Sequence, residues 1–77
     1  MFMAMVRIEI IVNGEERGIP LSWTVVDLIT DLELPDEQIA VEVNDEIISR
    51  NSWGEQILSS GDQVEIVRFV SGGVTDV

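Results

Sequence analysis

The chain has no cysteine, no histidine and no lysine. Without cysteine there is no disulfide framework, no thiol nucleophile and no thiolate metal site. Without histidine and lysine, acid–base or nucleophilic catalysis falls to carboxylates or to an unassisted hydroxyl. Ser22, Ser49, Ser52, Ser59, Ser60 and Ser71 have no base of that kind to activate them. The paired carboxylates Glu15/Glu16 and Asp36/Glu37 fall in turns or at element ends, where they read as solvated charges. No stretch has the spacing of an EF-hand loop, a phosphate-binding glycine loop or a zinc site. The expectation is therefore a protein that is not an enzyme and holds no metal.

Hydrophobic runs are short, none near the roughly 20 residues of a membrane span. Met1 to Val6 is apolar but lacks the basic start and small-residue cleavage site of a signal peptide. A cytoplasmic protein is expected. Cations are scarce: four arginines face fifteen acidic residues, for a net charge of −11. Phosphate backbones and anionic membrane surfaces are repelled, so neither nucleic acid nor membrane is an expected partner. A basic protein surface is the natural complement. The 77 residues, 45% of them apolar, suffice for one small domain with a thin core.

Period-2 alternation dominates what is there. Met5 to Val12 reads as a first strand, with Val6, Ile8, Ile10 and Val12 on one face and Arg7 and Glu9 on the other. Asn13-Gly14 is a strong hairpin signal, because both turn positions need positive φ. Glu15 to Pro20 is the returning strand. Thr24 and Asp27 then form an acidic capping box for a helix of about ten residues. Its stripe is Val25, Leu28, Ile29 and Leu32, and Pro35 is expected to stop it. Ile39 to Asn44 alternates again, Ile47 to Arg50 reads as a short edge strand, and an irregular connection surrounds Trp53. Gly61-Asp62 launches a last strand through Val70, with Val64 and Ile66 inward.

The first and last strands are the most apolar, which suits adjacent, central positions. A hairpin, a crossover helix and a last strand beside the first make an α+β, β-grasp (ubiquitin-like) fold. It has a mixed sheet of four to five strands with one helix across one face. One domain over residues 1–70 is expected, with a flexible tail, 71–77, containing Gly72-Gly73. A strand ending in a glycine pair can present a backbone carbonyl to another protein's active site.

Five segments carry a resemblance. They are Ile11-Val12-Asn13-Gly14-Glu15-Glu16, Thr24-Val25-Val26-Asp27-Leu28-Ile29, Ala40-Val41-Glu42-Val43-Asn44, Ile47-Ile48-Ser49-Arg50 with Trp53, and Gly61 to Val67 with Gly72-Gly73. In this order and spacing they resemble the ubiquitin-like sulfur carriers, and among them the thiamin-biosynthesis (ThiS) family. The resemblance implies that an E1-like enzyme adenylates the terminal glycine carboxylate with ATP and Mg²⁺. Sulfur then replaces the adenylate, and thiazole synthase consumes the thiocarboxylate. Gly73 would be the reacting residue and Gly72 would give clearance. No cofactor would stay bound to the carrier.

The pattern departs from the family at the end, where Val74-Thr75-Asp76-Val77 follow a glycine that should be terminal. A precursor trimmed by a protease, a cloning or gene-boundary artefact, and a lost carrier role are the open explanations. The small subunit of molybdopterin synthase and a ubiquitin-like binding module without chemistry are the alternative functions. Exposed Val67 and Phe69 beside Glu65 and Arg68 are expected to dock the partner. Arg68 is also within reach of a cross-strand pair with Glu9 in this reading. Arg50 and Trp53 are expected to shape the long connection, and Trp23 to pack at the rim of the sheet.

Overall fold

The computed structural model describes residues 6–69. Met5, the tail expected over 71–77 and the Gly72-Gly73 pair lie outside the described residues. Among the described residues, five strands form one sheet: β1 (Arg7–Val12), β2 (Glu15–Pro20), β3 (Ile39–Val43), β4 (Glu46–Ile48) and β5 (Gln63–Arg68). Their order is β2-β1-β5-β3-β4. Only β1 and β5 run parallel; the other neighbours are antiparallel. The first and last strands are adjacent, and β5 is central. This is the β-grasp arrangement.

Both tight hairpins follow from their turn residues. Asn13 (φ 50°) and Gly14 (φ 86°) join β1 to β2, and Asn44 (φ 52°) and Asp45 (φ 71°) join β3 to β4. Two consecutive positive φ values give the turn whose twist matches that of the flanking strands. The alternation in each strand then selects one face. Ile10, Ile19, Val41, Val43 and Val64 are buried, and the helix covers them.

Helix α1 (Val25–Asp31) opens on the expected capping box. The Asp27 amide donates to Thr24 Oγ1 at 3.3 Å, and the Thr24 amide donates to Asp27 Oδ2 at 2.8 Å. Such caps contribute about 1 kcal/mol. The helix ends earlier than Pro35. Glu33 enters the left-handed region (φ 57°). Its amide bonds back to Thr30 O at 3.1 Å and that of Leu34 to Ile29 O at 3.3 Å. These two bonds satisfy carbonyls that a longer helix would have used, so the chain has turned before Pro35 is reached. Val25, Leu28 and Ile29 are buried against the sheet, and Leu32 packs beside them.

The irregular connection closes the core from the far end. A 3₁₀ turn at Arg50–Ser52 leads into Trp53, which is buried and donates its Nε1–H to Ile48 O at 3.1 Å. The Arg50 guanidinium lies 5.9 Å from the Trp53 ring centroid. Leu58 is also buried, and its amide reaches Trp23 O at 2.8 Å. Trp23 is half-buried and packs against the core edge, as expected.

Candidate functional site, the strand that leads to the glycine pair

Strand β5 is anchored at its start. Gly61 turns the chain with φ 85°, and Ser59 donates its amide to Asp62 Oδ2 at 2.8 Å. Asn44, from the β3–β4 turn, takes hold of the same point. Its Nδ2 donates to Asp62 Oδ1, and its Oδ1 accepts from the Gln63 amide, both at 3.0 Å.

The other end of β5 overshoots its parallel neighbour. Val12, the last residue of β1, stands beside Val64, whereas β5 continues to Arg68. On the other flank β3 follows it to the end, pairing Ile39 with Arg68, and the Phe69 amide donates to Gln38 O at 2.8 Å. Beyond Val64, the β1 side is supported by one side chain. Asn13 accepts the Ile66 N–H on Oδ1 at 2.8 Å and donates Nδ2–H to Ile66 O at 3.3 Å. The strand is thus held on both sides as far as Ile66 and on one side to Phe69.

Alternation along β5 divides the residues read as a docking set. Glu65 and Val67 stand on the outer face, away from the helix, with Phe69 next in the same alternation; Val67 is 55% and Phe69 46% exposed. Val67 is opposite Ala40, and Glu65 is opposite Glu42, which is itself opposite the exposed Ile47. The Val67–Ala40 pair and Ile47 therefore flank, on two sides, two carboxylates held on facing positions. Like charges so placed disfavour the sheet slightly and favour a cation brought from outside.

Arg68 does not belong with them. It shares the parity of Val64 and Ile66 and faces the helix side. There it lines a groove of about 480 Å³ with Val12, Arg17, Leu32, Leu34 and Ile66. Arg17 in the same groove pairs with Asp31 at 2.9 Å. Nor does Arg68 meet Glu9. Glu9 is level with Gly61, whose amide bonds to Glu9 O at 2.8 Å, seven residues before Arg68. Glu9 also lies on the outer face, beside Arg7 and Gly18.

Among the described residues no group of three or more acidic side chains could hold a metal ion, and no helix is long and apolar enough to cross a membrane. The contribution missed from sequence is that of Asn13 and Asn44. Each was legible as a turn residue, but its side-chain bonds join segments 53 and 19 residues apart. The only local signal was the choice of asparagine at the first position of both turns.

The ThiS family model matches residues 10–73, from the first core strand to the second glycine of the pair. A thiazole synthase from Paramagnetospirillum magneticum is 38% identical over 65 residues. That match covers 84% of this chain and 20% of the relative, so the chain spans about a fifth of that protein. The sulfur carrier protein ThiS of Bacillus subtilis is 40% identical over 50 residues, covering 65% of this chain and 76% of the relative. The crystal structure of the thiamine biosynthesis protein ThiS from Geobacter metallireducens superposes with a TM-score of 0.75 at 29% identity. It covers 86% of this chain and all (100%) of that one. With the family model matching most of the chain and the ThiS structure superposing on its fold, the chain belongs to the ThiS family of sulfur carriers.

Proposed function

We propose that this protein carries sulfur for thiazole formation in thiamin biosynthesis as a thiocarboxylate on Gly73, once residues 74–77 are removed. The observation that carries the reading is the match that runs along β5, through Gly72, and stops at Gly73. A glycine carboxylate is a poor electrophile. Attack of its oxygen on the α-phosphorus of ATP, in an E1-like adenylating enzyme using Mg²⁺, expels pyrophosphate and leaves an acyl adenylate. A sulfide-level nucleophile then adds to the carbonyl carbon, AMP departs, and the thiocarboxylate remains. The carrier supplies no catalytic group to these steps. It supplies a carbonyl carbon five residues after a strand held by its neighbours, while ATP and the metal stay with the activating enzyme.

Similarity to a thiazole synthase several times longer than this chain supports thiazole synthase as the acceptor, in preference to molybdopterin synthase chemistry. A protease that trims the tail and a cytoplasmic setting complete the reading. The docking face is the outer side of the sheet, where Val67, Phe69 and Ile47 are exposed beside Glu42 and Glu65.

Intact-mass analysis tests the proposal. Full-length and Gly73-terminated protein are each incubated with an E1-like adenylating enzyme, ATP and a sulfur donor. The mass gain of oxygen-to-sulfur exchange is expected in the shortened form alone. An equal gain in the full-length chain would show that Gly73 is not the reacting residue. For the docking face, Val67→Asp in the shortened chain is expected to raise KM for the carrier roughly tenfold, about 1.4 kcal/mol, through a buried carboxylate at the contact. Its Tm should fall by only a few degrees, about 1 kcal/mol for a carboxylate in a strand beside Glu65 and Glu42, because Val67 faces solvent. A KM equal to that of the parent would remove Val67 from the interface.

A further inference from the structure

The main chain of β1 makes its last bond to β5 at Asn13, whose amide donates to Val64 O at 2.9 Å. The next rung of a parallel ladder would need a carbonyl from residue 13 and an amide from residue 15, both directed at Ile66. The backbone supplies neither, because it turns away at Asn13 with φ 50°. The Asn13 side chain supplies both. A primary amide carries the same acceptor and donor as a peptide group, so one side chain stands in for one rung.

We infer that Asn13 is a positioning residue for the carrier reaction, closing the β1 flank of β5 at Ile66, the last point at which the strand that precedes Gly72-Gly73 in sequence is held on both sides. The inference rests on the carrier reading above. The Asn13 rung is the last on its flank: by the same alternation Arg68 turns its main-chain groups to the β1 side, where β1 has already ended. The hairpin itself does not require asparagine, since glycine adopts this φ at least as readily. Asn44 makes the corresponding pair of bonds at the start of β5, to Asp62 and Gln63. The strand leading to the reactive glycine is thus tied near both ends by side chains of turn asparagines.

Asn13→Gly separates the two roles, keeping the turn while removing both bonds. In the full-length chain, amide exchange at Ile66 is expected to accelerate at least tenfold. In the Gly73-terminated chain, ATP–pyrophosphate exchange by an E1-like enzyme is expected to show KM for the carrier raised roughly five- to tenfold with kcat unchanged. That change corresponds to about one more backbone residue to be ordered on binding. Asn13→Asp keeps the acceptor for Ile66 N–H and loses the donor, and should give a smaller rise in KM with partial protection. Lost protection at Ile66 with an unaltered KM would reduce Asn13 to a fold contact and overturn the inference. Unaltered protection would overturn it as well. A parent chain that does not react at all would remove the carrier reading and this inference together, whereas a reactive parent with an indistinguishable Asn13→Gly variant would remove the inference alone.

Discussion

Leu28→Ala is expected to bring the domain close to unfolding at room temperature. Leu28 is fully buried (0% exposed) in the middle of α1, where the helix meets the sheet. Replacing a buried leucine by alanine removes its transfer free energy and leaves a cavity, together costing about 2–5 kcal/mol. For a chain of 77 residues, total stability is on the order of 4–12 kcal/mol. The loss is therefore a large share of the whole, and Tm should fall by about 10 °C or more. The neighbouring Val26 is the internal control, being 41% exposed on the opposite side of the same helix. Val26→Ala should stay within about 0.5 kcal/mol of the parent. Denaturant titration of both variants checks this, with equal slopes and separated midpoints expected. Coincident midpoints would mean that the helix does not depend on its buried face.

The contrast between those neighbours also marks what could be read directly. Where a rule acts over four residues or fewer, the residues alone suffice. Thr24 and Asp27 cap the helix, Asn13-Gly14 makes a tight hairpin, and alternation in 39–43 buries Ile39, Val41 and Val43. The adjacency of the first and last strands also followed, because the most apolar strands lose most by standing at an edge.

Features decided by distant partners were not legible. The helix stops at Leu32 because Glu33 and Leu34 return their amides to Thr30 and Ile29, a closure whose cost depends on how Leu32 and Leu34 pack. Trp53 and Leu58 enter the core from a segment with no period, guided by contacts with Ile48 and Trp23. Arg68 is a different case. Strict alternation places it opposite Val67, and grouping it with Glu65, Val67 and Phe69 followed sequence proximity rather than the pleat. Toward the C-terminus, the glycine pair was visible as a composition feature, but the asparagine rung on Ile66 was not, since it needs β1 and β5 already side by side.

Gly72→Val in the Gly73-terminated chain is expected to slow sulfur transfer by roughly 100-fold while leaving the fold intact. Strand β5 ends at Arg68, so the substitution falls four residues beyond the last ladder position. Tm is expected to match that of the parent within error. In the proposed reaction the effect falls on the activating enzyme's site. Bringing the carbonyl carbon of Gly73 in line with a phosphorus or sulfur atom would call for a backbone at residue 72 with no side chain to obstruct it. A β-branched residue there restricts φ and ψ and adds volume next to the reacting centre, and a displacement near 1 Å is enough for a loss of about 100-fold. Gly72→Ala, smaller and unbranched, should fall between the parent and the valine variant. Single-turnover measurement of thiocarboxylate formation with saturating activating enzyme distinguishes the chemical step from docking. A rate unchanged by valine would show that the channel does not discriminate at residue 72, and the glycine before the reacting one would then need another explanation.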